Sequence, residues 1–466
     1  MHREIFERAA QLATEYLEAL PEQPVGAQAT REELIAALGG PLPERGEDPV
    51  AALERFARAM EPGLIASAGP RYFGFVVGAG LPAAMAADWL ASAWNQNVSL
   101  NALSPAGAAA EEVTIGWLLE LLGLPRECSV GFVTGGQTAN FTCLLAARNE
   151  VYRRAGWNVE RDGLIEAPPL RVIAGAEAHV SLFAALRMLG FGTARVELVE
   201  ADAQGRISAP ALRRVLAARS GAPTIVCAQA GNVNSGAFDP LPEIVEAAHG
   251  AGAWVHVDGA FGLWAAASPR RRALLAGAHR ADSWATDGHK WLNVPYDCGI
   301  AITAHPHAHR AATTASASYL TTAGGAERNP FEWVPEASRR GRALPVYVAL
   351  RTLGRAGVAE LVDRCCVLAA RMASALAAAP GVRVLNEVVL NQALVRFADS
   401  DEKTREVIAR VQREGTCWLG GTTWQGLHAM RLSVSGWSTT ESDADRSVEA
   451  ILRAAGPAQR RPVGGG

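Results

Sequence analysis

Residues 285–299 read ATDGHKWLNVPYDCG: the end of an apolar run, a polar turn and the start of a second strand-like run. Lys290 lies in the middle of this stretch, between His289 and Trp291. The chain has 466 residues and 44 basic side chains, of which Lys290 and Lys403 alone are lysines. An arginine stays protonated, whereas a buried lysine readily loses its proton and can form a Schiff base. Lys403 lies in a charged run typical of a solvated helix, so Lys290 is the candidate for chemistry.

Outward from this stretch, short apolar runs alternate with stretches of helical periodicity. The predicted strands are residues 131–133, 171–174, 196–199, 224–228, 253–257 and 283–285, separated by helices such as 139–148, 209–218 and 243–249. This alternation predicts a largely parallel sheet that is covered by helices on both faces. Ligands of such sheets bind at the carboxyl ends of the strands.

The pattern also predicts how the chain divides into domains. Residues 1–65 are expected to form short helices that must pack on another surface, and residues 66–345 a large α/β domain. Residues 346–456 are expected to form a smaller α+β domain. A long helix over 339–379 would lead into its strands, which are predicted near 382–385, 393–397 and 430–434. The polar tail 457–466 is predicted to be disordered.

Composition excludes several function classes. The formal net charge of −3 provides no basic field for nucleic acid or for an anionic membrane. The seven cysteines form no CxxC pair, which is typical of reduced thiols, and no apolar run approaches the roughly 18 residues of a membrane span. Met1 leads directly into an amphipathic helix, so we expect a cytoplasmic protein. His305, His307 and His309 lie around a proline without carboxylate support, which favours a solvated loop over a metal site.

A phosphate site is suggested by residues 132–140, which read FVTGGQTAN. Gly135 and Gly136 allow a sharp turn after a strand, and the free N–H groups of the helix that follows can bind an anion. Two glycines before a helix are also common without any ligand. The segment alone therefore leaves both interpretations open.

Other polar side chains follow neighbouring strands. Asp258 ends the run VHVD at 255–258, where its carboxylate could pair with a ring nitrogen or simply cap the next turn. His179 follows the strand at 171–174, where its imidazole could stack on a flat ring or be structural. With Lys290 and the two glycines, the chain has the set of groups that pyridoxal phosphate requires: a phosphate site, a stacking ring, a carboxylate and an amine.

These segments resemble the group II pyridoxal-phosphate-dependent amino-acid decarboxylases, the family of aromatic amino-acid and glutamate decarboxylases. The resemblance extends over nearly all of the chain and also includes residues 69–74, 102–106, 431–433 and 437–441. It implies the α/β architecture of fold type I, with a mostly parallel seven-stranded sheet in the large domain, a small C-terminal α+β domain and N-terminal helices. It also implies an obligate homodimer whose N-terminal helices embrace the partner.

The resemblance further implies roles for individual residues. Lys290 would form the internal aldimine, Asp258 would pair with the pyridine nitrogen, and His179 would stack on the ring near the substrate carboxylate; these are the expected catalytic residues. The expected cofactor-binding residues are Gly135, Gly136, Gln137, His179, Asn232, Asp258, Ala260, His289 and Lys290. The substrate-pocket candidates are Tyr72, Phe73, Trp94, Asn97, Leu100 and Phe331.

The chain departs from the family at two positions. Many relatives carry a loop tyrosine that protonates the carbanion, but here the equivalent position is Pro330 or Phe331, and the nearest tyrosine, Tyr319, comes too early. Asp287 stands where relatives often have a neutral Asn near the phosphate, so we do not predict it as a ligand.

We expect decarboxylation of an L-amino acid to the amine and CO₂, in amino-acid and carboxylic-acid metabolism. His179 and Lys290 are the candidate proton donors. The alternatives are oxidative deamination to an aldehyde, transamination, and a paralogue that binds the cofactor without turnover. The side chain of the substrate is not readable from the sequence.

Overall fold

The computed structural model describes residues 2–219, 221–314 and 327–456, so Tyr319 and the tail 457–466 lie outside the described residues. The helices in these ranges are α1 (His2–Ala19), α2 (Arg31–Leu38), α3 (Pro49–Met60), α4 (Pro82–Trp94), α5 (Pro105–Leu122), α6 (Gly136–Arg154), α7 (Val159–Asp162), α8 (Val180–Met188), α9 (Ala209–Ala217), α10 (Leu241–Gly250), α11 (Pro306–Thr313), α12 (Ala343–Ala377), α13 (Asp401–Glu414) and α14 (Glu441–Ala455). The strands are β1 (Ser129–Val133), β2 (Arg171–Gly175), β3 (Glu197–Val199), β4 (Thr224–Gln229), β5 (Trp254–Asp258), β6 (Ser283–Asp287), β7 (Gly299–Thr303), β8 (Val382–Val384), β9 (Gln392–Phe397), β10 (Gly420–Trp424) and β11 (Leu427–Ser433).

The chain divides into two compact units. The central unit comprises Gly80–Val367 and Asn386–Gln392, and the terminal unit comprises Met1–Ala79, Leu368–Leu385 and Ala393–Gly466. The division predicted from the sequence, with boundaries after residues 65, 345 and 456, stays a prediction.

A seven-stranded sheet forms the core of the central unit, in the order β1-β7-β6-β5-β4-β2-β3. β7 runs antiparallel to both of its neighbours, and the other neighbouring pairs are parallel. The predicted α/β class with a mostly parallel seven-stranded sheet is therefore confirmed. All strands except the edge strand β3 are buried at every residue, as expected for strands covered on both faces.

Helix α6 packs on the middle of this sheet through small side chains. Ala139 and Cys143 contact Ala285 of β6 and Ala301 of β7 in one buried cluster. Alanine and cysteine have short side chains, so the helix axis can approach the strands closely. The start of α6 is thereby held beside the carboxyl ends of β1 and β6.

A four-stranded sheet in the order β10-β11-β9-β8 belongs to the terminal unit. Its outer pairs, β10 with β11 and β8 with β9, are antiparallel. Thr30 begins α2 with a capping box, and Asp48 caps α3, which has a proline at its start.

The structure corrects two predictions about local structure. Residues 339–379 were expected to form one helix, but α12 is interrupted at Gly354, whose φ of 61° is not helical. The three histidines do not form a solvated loop, because α11 begins at Pro306 and buries His309 against β1, with Nδ1 2.9 Å from Ser129 Oγ.

No described helix is both long enough and apolar enough to cross a bilayer. In the same part of the chain, no group of three or more His, Cys, Asp or Glu side chains is arranged to hold a metal ion.

Candidate active site

The predicted site residues follow the carboxyl ends of five strands of the central sheet. Because β7 is antiparallel to both β1 and β6, those two strands point the same way, and β5, β4 and β2 share that direction. Their carboxyl ends therefore lie along one edge of the sheet. The residues that follow them in strand order are Gly135 after β1, Lys290 after β6, Asp258 at the end of β5, Asn232 after β4 and His179 after β2.

Lys290 is paired with the last residue of β6. Its Nζ lies 2.7 Å from Oδ2 of Asp287, whose side chain is 1% exposed, while the lysine side chain is 21% exposed. The Trp264 indole N–H donates to the Asp287 carbonyl at 2.9 Å, and the Asp287 N–H donates to the Ala260 carbonyl at 2.9 Å. These bonds fix the backbone of Asp287, so the ammonium group of Lys290 is held at the sheet edge.

His289 lies on the other side of the same carboxylate, with Nε2 3.6 Å from Asp287 Oδ1. The Cys298 N–H donates to His289 Nδ1 at 3.1 Å, so the proton of the neutral ring is assigned to Nε2. Burial lowers the pKa of His289, although the nearby Asp287 carboxylate opposes this effect. Tyr296 stacks on the ring, with centroids 4.4 Å apart. His289 is therefore a neutral donor directed at the region beside Asp287.

Glycines leave space at the start of α6. A Cβ on Gly136 would lie 2.7 Å from Asp287 Oδ2, and one on Gly135 would lie 3.2 Å from His289 Cε1. The first N–H groups of a helix have no partner within it, so this end of α6 can receive an anion. Gln137 is exposed in the first turn, with Nε2 3.7 Å from Met188 Sδ.

Asp258 ends β5 with a buried carboxylate that accepts two hydrogen bonds. Oδ1 accepts from the Ala260 N–H at 3.2 Å, and Oδ2 accepts from the Asn140 side-chain amide at 3.0 Å. Each carboxylate oxygen can accept further bonds, so Asp258 can still receive an N–H from a bound ring. Sequence reasoning missed Asn140, although it belongs to the quoted segment 132–140.

His179 forms the N-cap of α8, where Nδ1 accepts from the Ser181 N–H at 3.3 Å and lies 2.7 Å from Ser181 Oγ. Asn232 supports this turn, because its amide donates to the Glu177 carbonyl at 3.1 Å. Gln229 donates to the same carbonyl at 3.0 Å. Asn232 thus fixes the backbone two residues before His179, and its predicted contact with the cofactor stays a prediction.

Three of the substrate-pocket candidates lie in two segments of the central unit that run beside each other. Asn97 Oδ1 accepts from the Arg339 N–H at 3.1 Å, and the Phe331 N–H donates to the Ser99 carbonyl at 2.9 Å, next to Leu100. Trp94 is exposed at the end of α4.

The remaining two candidates lie in the terminal unit. Tyr72 stacks on Trp418 with ring centroids 5.2 Å apart, and Phe73 is fully buried. Their place in a substrate pocket stays a prediction.

The described residues fit pyridoxal phosphate. The glycine-lined start of α6 suits a phosphate, and Lys290 supplies an amine. The carboxylate of Asp258 can accept further hydrogen bonds and therefore suits a positive ring nitrogen. Asp287 adds a negative charge beside α6, and in this structure Lys290 neutralises it at 2.7 Å. The fold and these residues define a pyridoxal-phosphate enzyme of fold type I.

The chain belongs to the pyridoxal-dependent decarboxylase family, whose conserved domain matches residues 32–398. An aromatic-L-amino-acid decarboxylase of Bacillus atrophaeus is 29% identical over 458 residues, covering 94% of this chain and 92% of that protein. An L-2,4-diaminobutyrate decarboxylase of Rhizobium meliloti (strain 1021) is 30% identical over 424 residues, covering 88% of this chain and 83% of that protein.

Solved structures share the fold. The crystal structure of Oryza sativa TDC with PLP and tryptamine superposes with a TM-score of 0.90 at 24% identity, covering 97% of each chain. That of mouse CSAD gives a TM-score of 0.88 at 22% identity, covering 97% of this chain and 98% of that one. The predicted family and cofactor are confirmed: the protein is a pyridoxal-phosphate-dependent amino-acid decarboxylase by family.

Proposed function

We propose that this chain converts an L-amino acid into the corresponding amine and CO₂, and that Lys290 holds pyridoxal phosphate covalently. The observation that carries the proposal is the position of Lys290. It is one of only two lysines in the sequence, and it lies at the sheet edge shared with Asp258 and the start of α6.

The chain's own residues would bind and orient the reacting groups. When bound, the cofactor supplies an electron sink for the bond that breaks at the substrate α-carbon. Asp258 holds a positive ring nitrogen through its buried carboxylate, and the start of α6 with His289 holds the phosphate. His179, fixed by Ser181, offers its ring as a stacking surface. Lys290 takes up a proton when the incoming amino group replaces it, and Asp287 stabilises the resulting ammonium.

After CO₂ leaves, the α-carbon must gain a proton, and two groups of the central unit can supply it. Nδ1 of His179 accepts from Ser181, so Nε2 of the neutral ring carries a proton. The ammonium of Lys290 is the second donor. Either group would replace the loop tyrosine of many relatives.

A second candidate reaction, oxidation to an aldehyde, is favoured by the residue that occupies the position of that tyrosine. Phe331 is buried there, and Pro330 precedes it; neither side chain can donate a proton. If protonation is slow, O₂ can oxidise the α-carbon instead. The amino acid, O₂ and water then give the aldehyde, CO₂, ammonia and H₂O₂.

The substrate side chain, the oligomeric state and the location belong to the same proposal. The relatives are named for aromatic, diamino and acidic substrates, so we assign an L-amino acid as the substrate and do not assign its side chain. We assign a homodimer in the cytoplasm, and exposed apolar side chains on the N-terminal helices support the dimer. The clearest examples are Phe6, Ile35 and Phe56. A solution mass of twice the 49.1 kDa of one chain would support the dimer.

The test combines cofactor mapping with product analysis. Holoprotein treated with borohydride and digested should give a pyridoxyl adduct on Lys290 by mass spectrometry. In Lys290→Ala the rate of CO₂ release should fall about 1,000-fold or more, because the substitution removes both the covalent attachment of the cofactor and a proton carrier. Lys403→Ala, the matched control, should behave as the unaltered protein, since that lysine pairs with Glu406 on α13.

Product analysis with the standard amino acids, and with acidic and diamino analogues, identifies the reaction. CO₂ with an equal amount of amine supports the proposal. CO₂ with aldehyde and peroxide would establish the second candidate reaction, and a keto acid without CO₂ would establish transamination. An adduct without any product would indicate a protein that binds the cofactor without turnover.

A further inference from the structure

Behind Asp258, four fully buried side chains continue inward as one hydrogen-bonded chain. Asn140 contacts Asp258, His256 contacts Asn140, Ser283 contacts His256, and Trp254 contacts Ser283. The four distances are 3.0, 2.8, 3.0 and 2.9 Å, in that order. All four side chains are 0% exposed, so water does not compete for these bonds.

The hydrogen-bonding groups permit one direction along this chain. Asn140 directs its NH₂ group at Asp258 and its Oδ1 at His256, so Nε2 of the neutral His256 ring is the donor and Nδ1 accepts from Ser283 Oγ. The Trp254 indole N–H donates to the same hydroxyl oxygen. The proton of a neutral His256 is then on Nε2, which donates to Asn140 Oδ1. The other end of that amide is the NH₂ group, which donates to Asp258 Oδ2 at 3.0 Å. Every bond in the chain therefore points its donor toward the carboxylate.

The bond directions in this chain are those of a neutral His256 ring. Burial lowers the pKa of His256 to about 4, although the nearby Asp258 carboxylate opposes this effect. The ring is thus neutral at neutral pH and keeps one donor and one acceptor nitrogen, as the chain of bonds requires. A protonated ring would donate from both nitrogens, so the bond with Ser283 would reverse its direction and the serine proton would lose its acceptor.

We propose that His256 is a positioning residue for Asp258, acting through Asn140 to keep an amide N–H on the carboxylate and the remaining lone pairs available to the cofactor ring nitrogen. This inference rests on the proposed function of Asp258. Without His256, Asn140 Oδ1 would be a buried acceptor that lacks a donor, so the amide would rotate to find another partner. Asp258 would then lose its orientation and part of its ability to hold a positive ring nitrogen.

The experiment uses holoprotein reconstituted with pyridoxal phosphate labelled with ¹⁵N in the ring. The ¹⁵N chemical shift separates a protonated from an unprotonated ring nitrogen, and it is read without substrate. His256→Leu should move the signal toward the unprotonated position. Its kcat should fall by about 10-fold while KM changes by less than about 2-fold, because the loss affects the reacting bond more than binding. His256→Gln, which can still donate to Asn140, should recover most of both values.

The matched control is Cys143→Ser. Cys143 lies on the same helix as Asn140, is equally buried, and points to the Trp284 carbonyl at 3.3 Å. This variant changes a buried polar atom outside the chain of bonds and should keep the ¹⁵N signal of the unaltered protein. If His256→Leu fails to fold, the second variant is Asn140→Leu, which is of similar size, carries no hydrogen-bonding group and therefore removes the donor to Asp258. It should move the signal in the same direction.

The outcomes separate this inference from the proposed function. If the unaltered protein releases CO₂ while His256→Leu and Asn140→Leu keep its ¹⁵N signal, His256 is structural and the proposed function remains. If the unaltered protein binds the cofactor but releases no CO₂ from any amino acid, the proposed function is overturned. The ¹⁵N signals of the variants would still decide the role of His256.

Discussion

At the scale of single residues, Asp287 has the least expected position. A carboxylate beside the start of α6 competes for the place of a phosphate, because both are anions drawn to the free N–H groups of the helix. In the structure the charge is neutralised by Lys290 at 2.7 Å. Covalent attachment of the cofactor would take that partner away, so Asp287 and the phosphate would then face each other as like charges.

Asp287→Asn should therefore tighten the binding of pyridoxal phosphate to cofactor-free protein. We expect an apparent Kd about 10-fold lower, equivalent to about 1.4 kcal/mol. Fluorescence titration measures the affinity, and pyridoxal, which lacks the phosphate, is the control ligand. Release of Lys290 from its ion pair would affect both ligands equally, so the excess gain for the phosphate ester reports the repulsion. Equal effects on both ligands would contradict this account.

At the scale of elements, the start of β7 sets the position of the turn between β1 and α6. Gly299 is paired with Val133 in the sheet, and a Cβ on it would lie 2.5 Å from the Gly135 Cα. The two backbones can approach this closely because neither residue has a side chain. The position of the proposed phosphate site thus depends on a glycine 164 residues further along the chain.

Gly299→Ala should push β7 and the turn at Gly135 apart. We expect a loss of about 1–3 kcal/mol in unfolding free energy, as for other overpacked cores, together with weaker binding of pyridoxal phosphate. Urea denaturation and cofactor titration measure the two effects. The matched control is Gly116→Ala in α5, where a Cβ meets nothing within 4 Å. That change should raise stability by up to about 1 kcal/mol. Unchanged stability and affinity in Gly299→Ala would refute this account.

Periodicity predicted most elements of the central sheet correctly but not their irregularities. The strand at 283–285 extends to Asp287, and helix 139–148 begins earlier, at Gly136. Both extensions place polar residues inside regular elements, where an apolar pattern ends too soon. The break of α12 at Gly354 also escaped prediction, because a glycine inside a helical pattern is usually tolerated.

At the scale of the whole molecule, buried histidines make stability depend on pH. Burial, with the charge of Arg328 as the second cause, lowers the pKa of His309 to about 3. The folded ring stays neutral while the unfolded ring takes up a proton near pH 6.5. Its contribution to stability is therefore complete above pH 6.5 and is lost as pH falls from 6.5 toward 3.

His309→Gln should remove this contribution. The unaltered protein should lose about 2 kcal/mol more unfolding free energy than the variant between pH 6.5 and pH 5, at about 1.4 kcal/mol for each pH unit. Urea midpoints at both pH values measure the difference. A constant offset caused by the lost bond to Ser129 does not matter, because only the change with pH is compared. If the unfolding free energies of the unaltered protein and of His309→Gln changed with pH in parallel, His309 would take up its proton in the folded state as well, which would contradict this account.

The amino-acid sequence was enough to predict the alternation of strands and helices and to propose Lys290 and Asp258 as site residues at one edge of the sheet. These features depend on local periodicity and on residue chemistry, which a single segment contains. Three contacts became visible only in the folded chain: Asp287 pairs with Lys290, His309 is buried against β1, and His256 reaches Asp258 through Asn140. Asn140 and Asp258 are 118 residues apart. Such contacts are fixed by the packing of distant elements, and no local pattern specifies them.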